Sequence, residues 1–141
     1  MRHILLATDG SESADRATEA AASLALAMGG RLSILTVEGS VTEDMKQFAR
    51  VEGNIADAVE EFAGQILKRA RDRAEKAGVP AVDTQVGWGD PAEVIIDKAR
   101  REKTDMIVVG RRGQGRLAGL LLGSVSQKLV SLAPCIVVVV P

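Results

Sequence analysis

The 141-residue sequence contains no tyrosine, two phenylalanines and a single tryptophan, Trp88. So few rings leave no stacking platform for single-stranded nucleic acid. Cysteine is equally scarce: Cys135 alone cannot form an intramolecular disulfide, and with His3 as the only histidine a Cys/His zinc cluster is excluded. An excess of either charge is also missing, since 18 Lys and Arg face 19 Asp and Glu. Binding to nucleic acid through overall charge is therefore not expected, and any anion site must be local. No stretch approaches the roughly 20 apolar residues of a membrane helix, and the run at residues 117–122 is interrupted by Gly119. The opening MRHILLATD has an apolar run too short for a signal-peptide core and ends in an acid. A reducing, cytoplasmic setting without membrane or nucleic-acid partners is the expectation.

What is present is an alternation of short apolar runs with longer helical patterns, the mark of βαβ units around a parallel sheet. At this length the chain suits one α/β domain, residues 1–141, with about five strands and four helices. Residues 4–8 read as the first strand. Ser11 or Ser13 can cap a helix through Ala14, Ala17, Ala21, Leu24 and Met28, stopped by Gly29 and Gly30. Residues 32–37 read as the second strand, followed by a polar stretch to about residue 54 with no clear period. From about Ile55 a long helix carries Val59, Phe62, Ile66, Leu67 and Ala70 on one face and charges on the other, which reads as solvated.

Residues 82–86 alternate as a third strand, and Gly87, Trp88 and Gly89 read as a turn. Asp90, Pro91 and Glu93 then specify a helix start, with Asp90 as N-cap and Pro91 at the first helical position. Residues 106–109 form a fourth strand, apolar enough to be covered on both faces. Ser124 can cap a last helix through Val125, Leu129 and Val130, ended by Pro134, and residues 135–140 form the fifth strand.

The segment VVGRRGQGRLAGLLLGSVS, residues 108–126, joins the fourth strand to the last helix. In an open parallel sheet ligands sit beyond the carboxyl ends of the strands, where the strand order reverses. Glycines at Gly110 and Gly113 permit positive φ and amides turned toward a ligand. Gly123 precedes Ser124 at a helix start, where orphan N–H groups favour phosphate, and the Ser124 and Ser126 hydroxyls can add hydrogen bonds. The same glycines can serve a plain connector, with Arg111, Arg112 and Arg116 as solvated charges. A Walker A loop is excluded because no lysine follows a candidate glycine. The spacing Gly113, Gly115, Gly119 is a poor dinucleotide fingerprint, because it follows the fourth strand instead of opening the chain.

Gly110 and Gly113, then nine residues, then Gly123 and Ser124 form a pattern that resembles the nucleotide-binding signature of the universal stress protein family, in its ATP-binding branch. ILLATDGSES, GDPAEVIIDKA, DMIVVGRRG and APCIVVVVP resemble the family as well, so the likeness spans nearly the whole chain. The resemblance implies a parallel sheet of order 3-2-1-4-5 and a homodimer through the last strands, here Val137, Val138, Val139 and Val140. An apolar edge left unpaired would invite aggregation, which suits that role. It further implies ATP as ligand, with Mg2+ or Mn2+, and slow turnover or none. Ala7, Thr8 and Asp9 would face the adenosine part, and Val37 would meet the adenine edge through its backbone. Gly110, Arg112 and Gly113 would lie along ribose and phosphates, Gly123, Ser124, Val125 and Ser126 would hold the phosphates, and Val109 counts among the nucleotide-binding residues.

The expected function is a dimeric, nucleotide-dependent regulatory module of stress physiology with an unidentified protein partner. The alternatives are a slow ATPase, in which Asp9 places metal or water, and an interaction module for another adenine nucleotide such as a cyclic one. Asp9 also reads as a turn residue satisfying its own backbone. Cys135 reads as a small hydrophobe at a strand start. His3 has no evident partner, and Trp88 reads equally as a cover for the sheet end or an exposed contact.

Overall fold

Strand β1 (His3–Ala7) supplies alternate residues to two faces, so Ile4 and Leu6 join one apolar cluster and Leu5 joins another. The computed structural model describes residues 2–39, 55–111 and 122–141. After β1 come α1 (Glu12–Met28), β2 (Arg31–Glu38), α2 (Ile55–Lys76), β3 (Val82–Trp88), α3 (Pro91–Arg101), β4 (Met106–Gly110), α4 (Ser124–Leu132) and β5 (Ile136–Val140). The strands form a five-stranded parallel sheet of order β3-β2-β1-β4-β5. This is the fold and strand order that the resemblance implied. No helix among the described residues is long and apolar enough to cross a membrane.

Helices α1 and α2 cover the first face. Their contribution to its core is largely small: Ala17, Ala21, Ala22 and Ala25 from α1 and Ala70 and Ala74 from α2, with Leu67, pack on Ile4, Leu6, Ile34 and Val108. Alanine keeps helical propensity high and lets a helix lie close to the sheet. Helices α3 and α4 cover the second face, where Ile95, Ile96, Ala99 and Leu129 meet Leu5, Leu35, Ile107 and Val109. Each fully buried Leu or Ile stabilises the fold by about 1.5–3 kcal/mol relative to an exposed one.

Local signals explain the boundaries. Ser11, one of the two candidate caps, accepts from the Ala14 amide at 3.2 Å. Gly29 closes α1 in the left-handed region at φ 62°. Asp90 caps α3 by accepting from the Glu93 amide at 3.1 Å, with Pro91 in the first turn.

Four expectations are corrected. Phe62 is 50% exposed, because the buried stripe of α2 runs through Val59, Ala63, Leu67, Ala70 and Ala74 and leaves Phe62 on its flank. The charged side of α2 is not only solvated, since Arg73 reaches Glu19 at 3.1 Å and Arg69 pairs with Asp15 across on α1. Gly87 and Trp88 belong to β3, not to a turn, and Trp88 pairs with Glu38 while its side chain is exposed. His3 does have partners. It is buried, with Nε2 2.8 Å from the Ser33 hydroxyl and Nδ1 3.2 Å from the Thr104 hydroxyl. Burial, then the Arg31 charge, holds its imidazole below the usual pKa of 6.5. Cys135 lies just before β5, partly buried against the second cluster, and burial pushes its thiol pKa up.

Candidate functional site

Strands β1 and β4 are neighbours, yet the helices that follow them pack on opposite faces of the sheet. The two chains therefore diverge at the carboxyl ends of the strands, and a crevice opens between them. It is a cleft of about 320 Å3, at the lower end of the range for small-molecule sites. Ala7, Thr8, Asp9, Val37, Val109, Gly110, Gly123, Ser124, Val125 and Ser126 all line it. Every described residue of the sequence-derived site is thus brought to one place. Arg112 and Gly113 lie outside the described residues, as do residues 40–54 of the polar stretch.

The cleft has two chemically different parts. Leu35, Val37, Ile95 and Val109 supply aliphatic surface, with Pro91 beside them. A flat apolar ring suits such a wall. Leu35, Pro91 and Ile95, together with Ala14, are lining residues that the sequence did not single out. Strand periodicity carries the signal for one of them, because Leu35 stands two residues before Val37 and so on the same face. Pro91 and Ile95 are four apart on a helix, hence also on one face.

The other part is polar and consists mostly of backbone. On the β1 side, the Thr8 hydroxyl accepts from the Gly10 amide at 3.2 Å, and Asp9 Oδ1 accepts from the Ser11 amide at 3.0 Å. Gly10 takes φ +80°, and a Cβ there would also lie 3.2 Å from Ile66. Asp9 therefore shapes its own turn while it lines the cleft.

On the β4 side both backbone groups of Arg111 are held. Its N–H donates to the Val140 carbonyl at 2.6 Å, and its carbonyl accepts from the Gly123 amide at 2.8 Å and from the Ser126 hydroxyl at 2.9 Å. Ser126 is buried and its proton serves this junction, which fixes where α4 begins.

The first turn of α4 differs from the expectation in one respect. Ser124 is not its cap: it is the first helical residue and is exposed, and Gly123 is the cap, with no side-chain hydrogen bond. The first helical bond runs from the Gln127 amide to the Gly123 carbonyl at 3.0 Å. The amides of Ser124, Val125 and Ser126 precede it and have no carbonyl behind them in the helix. Nor does the first turn of α4 contain an acid, whereas α1 has Glu12 and Asp15 there and α3 has Glu93. The positive end of the α4 dipole is left without a protein counter-charge in its first turn.

Gly110 also acts otherwise than its sequence suggests. It is not among the positive-φ residues, and it pairs with Val140 as the last residue of β4. Its missing side chain is required by α1, because a Cβ would lie 2.5 Å from Ser13 Oγ and 2.9 Å from the Ala14 nitrogen. Among the described residues no three His, Cys, Asp or Glu side chains gather as a metal would need.

The family model described as Universal stress protein family matches residues 1–141. A universal stress protein encoded beside a sulfhydrylase gene of Thermus aquaticus is 40% identical, over 97% of this chain and 96% of that protein. Among solved structures, a universal stress protein in complex with cAMP is 31% identical with a TM-score of 0.76, covering 99% of this chain and 97% of that one. Universal stress protein UspA from Lactobacillus plantarum superposes with a TM-score of 0.81 at 24% identity, over 99% and 97% of the two chains.

Proposed function

The chain belongs to the universal stress protein family, and from that premise we propose that its cleft binds an adenine nucleotide, ATP in particular. The observation that carries this reading is the start of α4. Of the three helix starts that border the cleft, this one has neither a side-chain cap nor an acid in its first turn. Such an end favours a phosphate, and the aliphatic wall across the cleft offers a place for the base.

In this pose Leu35, Val37, Val109 and Ile95 exclude water from the ring, and the backbone of Val37 meets the adenine edge. Ala7, Thr8 and Asp9 face the sugar, Gly110 with Arg112 and Gly113 runs along ribose and phosphates, and Gly123, Ser124, Val125 and Ser126 hold the phosphates. Mg2+ or Mn2+ arriving with the nucleotide would be held mainly by phosphate oxygens and water, near Asp9, the carboxylate among the described lining residues. Such an ion neutralises phosphate charge. Binding is proposed ahead of turnover, because Asp9 is the sole carboxylate among the described lining residues and its Oδ1 already accepts from Ser11. Strand β5, an apolar edge of sequence IVVVV, is proposed as the homodimer contact. The nucleotide state of that dimer would then be read by a partner protein in stress physiology.

A cyclic adenine nucleotide is the second reading, favoured by the 31% identical structure in complex with cAMP. Denaturing the purified protein and identifying the released nucleotide by mass spectrometry separates the two. A thermal-shift series with ATP, AMP and cAMP completes the test, since saturation at 100 times Kd stabilises by about 2.7 kcal/mol. ATP should be released or give the largest shift. If no adenine nucleotide co-purifies or raises the melting temperature, the proposal is wrong.

A further inference from the structure

The Val140 carbonyl, at the end of β5, is a meeting point for segments far apart in sequence. It accepts from the Arg111 amide at 2.6 Å and from the Ser13 hydroxyl at 3.1 Å. Ser13 is buried in the first turn of α1, and it is not one of the residues lining the cleft. Its hydroxyl reaches β5 by crossing over Gly110, where a Cβ would sit only 2.5 Å from it. The absent side chain at Gly110 is what opens this path.

From Val140 the connections lead back to the cleft. Arg111 turns its backbone N–H to Val140 and its carbonyl to the Gly123 amide and the Ser126 hydroxyl. Any shift of Val140 therefore moves the junction that sets where the α4 amides point. The geometry points to Ser13 as a positioning residue for the phosphate end of the cleft, acting through the Val140 carbonyl and the backbone of Arg111. This rests on the adenine-nucleotide reading and deepens it. Ser13 touches no ligand; it holds in place the strand end against which the ligand-binding turn is registered.

Thr18 supplies a matched control. It lies on the same helix and is also buried, but its hydroxyl donates to the Ala14 carbonyl of its own helix at 2.8 Å, outside this chain of contacts. Wild type, Ser13→Ala and Thr18→Ala are titrated with ATP, and amide exchange is followed at Arg111 and Gly123. Ser13→Ala should weaken ATP about three- to tenfold, the equivalent of one net hydrogen bond, and speed exchange at both amides. Thr18→Ala should leave ATP affinity unchanged. Unchanged affinity in Ser13→Ala, or an equal loss in both variants, overturns the assignment while the nucleotide reading stands. A wild type that binds no adenine nucleotide overturns both together.

Discussion

Two strand-to-helix turns face each other across the cleft, and they are finished in opposite ways. After β1, the turn satisfies itself: Thr8 and Asp9 accept from the next backbone amides, Ser11 caps α1, and Glu12 and Asp15 supply negative charge to its first turn. After β4, the chain is anchored firmly at Arg111, but α4 starts on Gly123 without a side-chain cap or an acid. Capping and first-turn acids each stabilise a helix by about 0.3–2 kcal/mol. Their omission at one helix start, beside two where they are present, is what supports the proposed placing of the anion on the β4 side. The β1 side shapes the cleft and, in the proposed pose, would meet the sugar.

The contrast is broken most strongly by giving α4 what α1 already has. Ser124→Asp places a carboxylate in its first turn, which should stabilise the empty protein by about 0.5–1 kcal/mol. The same charge should weaken ATP by about 2 kcal/mol or more, roughly thirtyfold, through repulsion of the phosphates at close range. Melting curves and calorimetric titration check the two opposite signs. Equal or tighter ATP binding would show that the phosphates lie elsewhere.

Removing the cap of α1 sharpens the contrast from the other side. Ser11→Ala should cost about 1 kcal/mol in chemical denaturation and leave ATP affinity essentially unaltered. A large affinity loss would place the ligand on the β1 turn. The smallest effect is expected at the amino end of β1, far from either turn. His3 is held neutral there, with its pKa below that of the unfolded chain, so the unfolded state takes up the proton first. The His3 contribution to stability should therefore be complete above about pH 6.5 and be lost as pH falls below it. His3→Gln should flatten that decline between pH 6.5 and 5, as read from melting temperature.

Much of this was legible in the sequence because it depends on local chemistry. Ser11, Gly29, Asp90 and Pro91 act within a few residues of themselves, and the apolar runs needed only their length and spacing to be read as strands. The strand order and the gathering of Ala7, Thr8, Asp9, Val37 and the Gly123 to Ser126 turn came from the family resemblance, and the geometry of the described residues agrees. What escaped depends on neighbours remote in sequence. The partners of His3 are 30 and 101 residues away. The reason for Gly110 lies in the backbone of α1 and not in its own φ. Phe62 fitted an apolar helical face by spacing, but the smaller Ala63 next to it takes the buried position. Whether a serine caps a helix or merely begins it is decided by which residue at the boundary keeps extended dihedrals, Ser11 itself before α1 but Gly123, one residue ahead of Ser124, before α4.

In the proposed pose the open start of α4, and not the closed start of α1, receives the phosphate. Backbone amide shifts recorded by NMR during titration with ATP test it most directly. The largest changes are expected at Gly123, Ser124, Val125 and Ser126, with much smaller ones at Glu12, Ser13 and Ala14. Changes concentrated at the α1 amides, or none at α4 under saturating ATP, would contradict it.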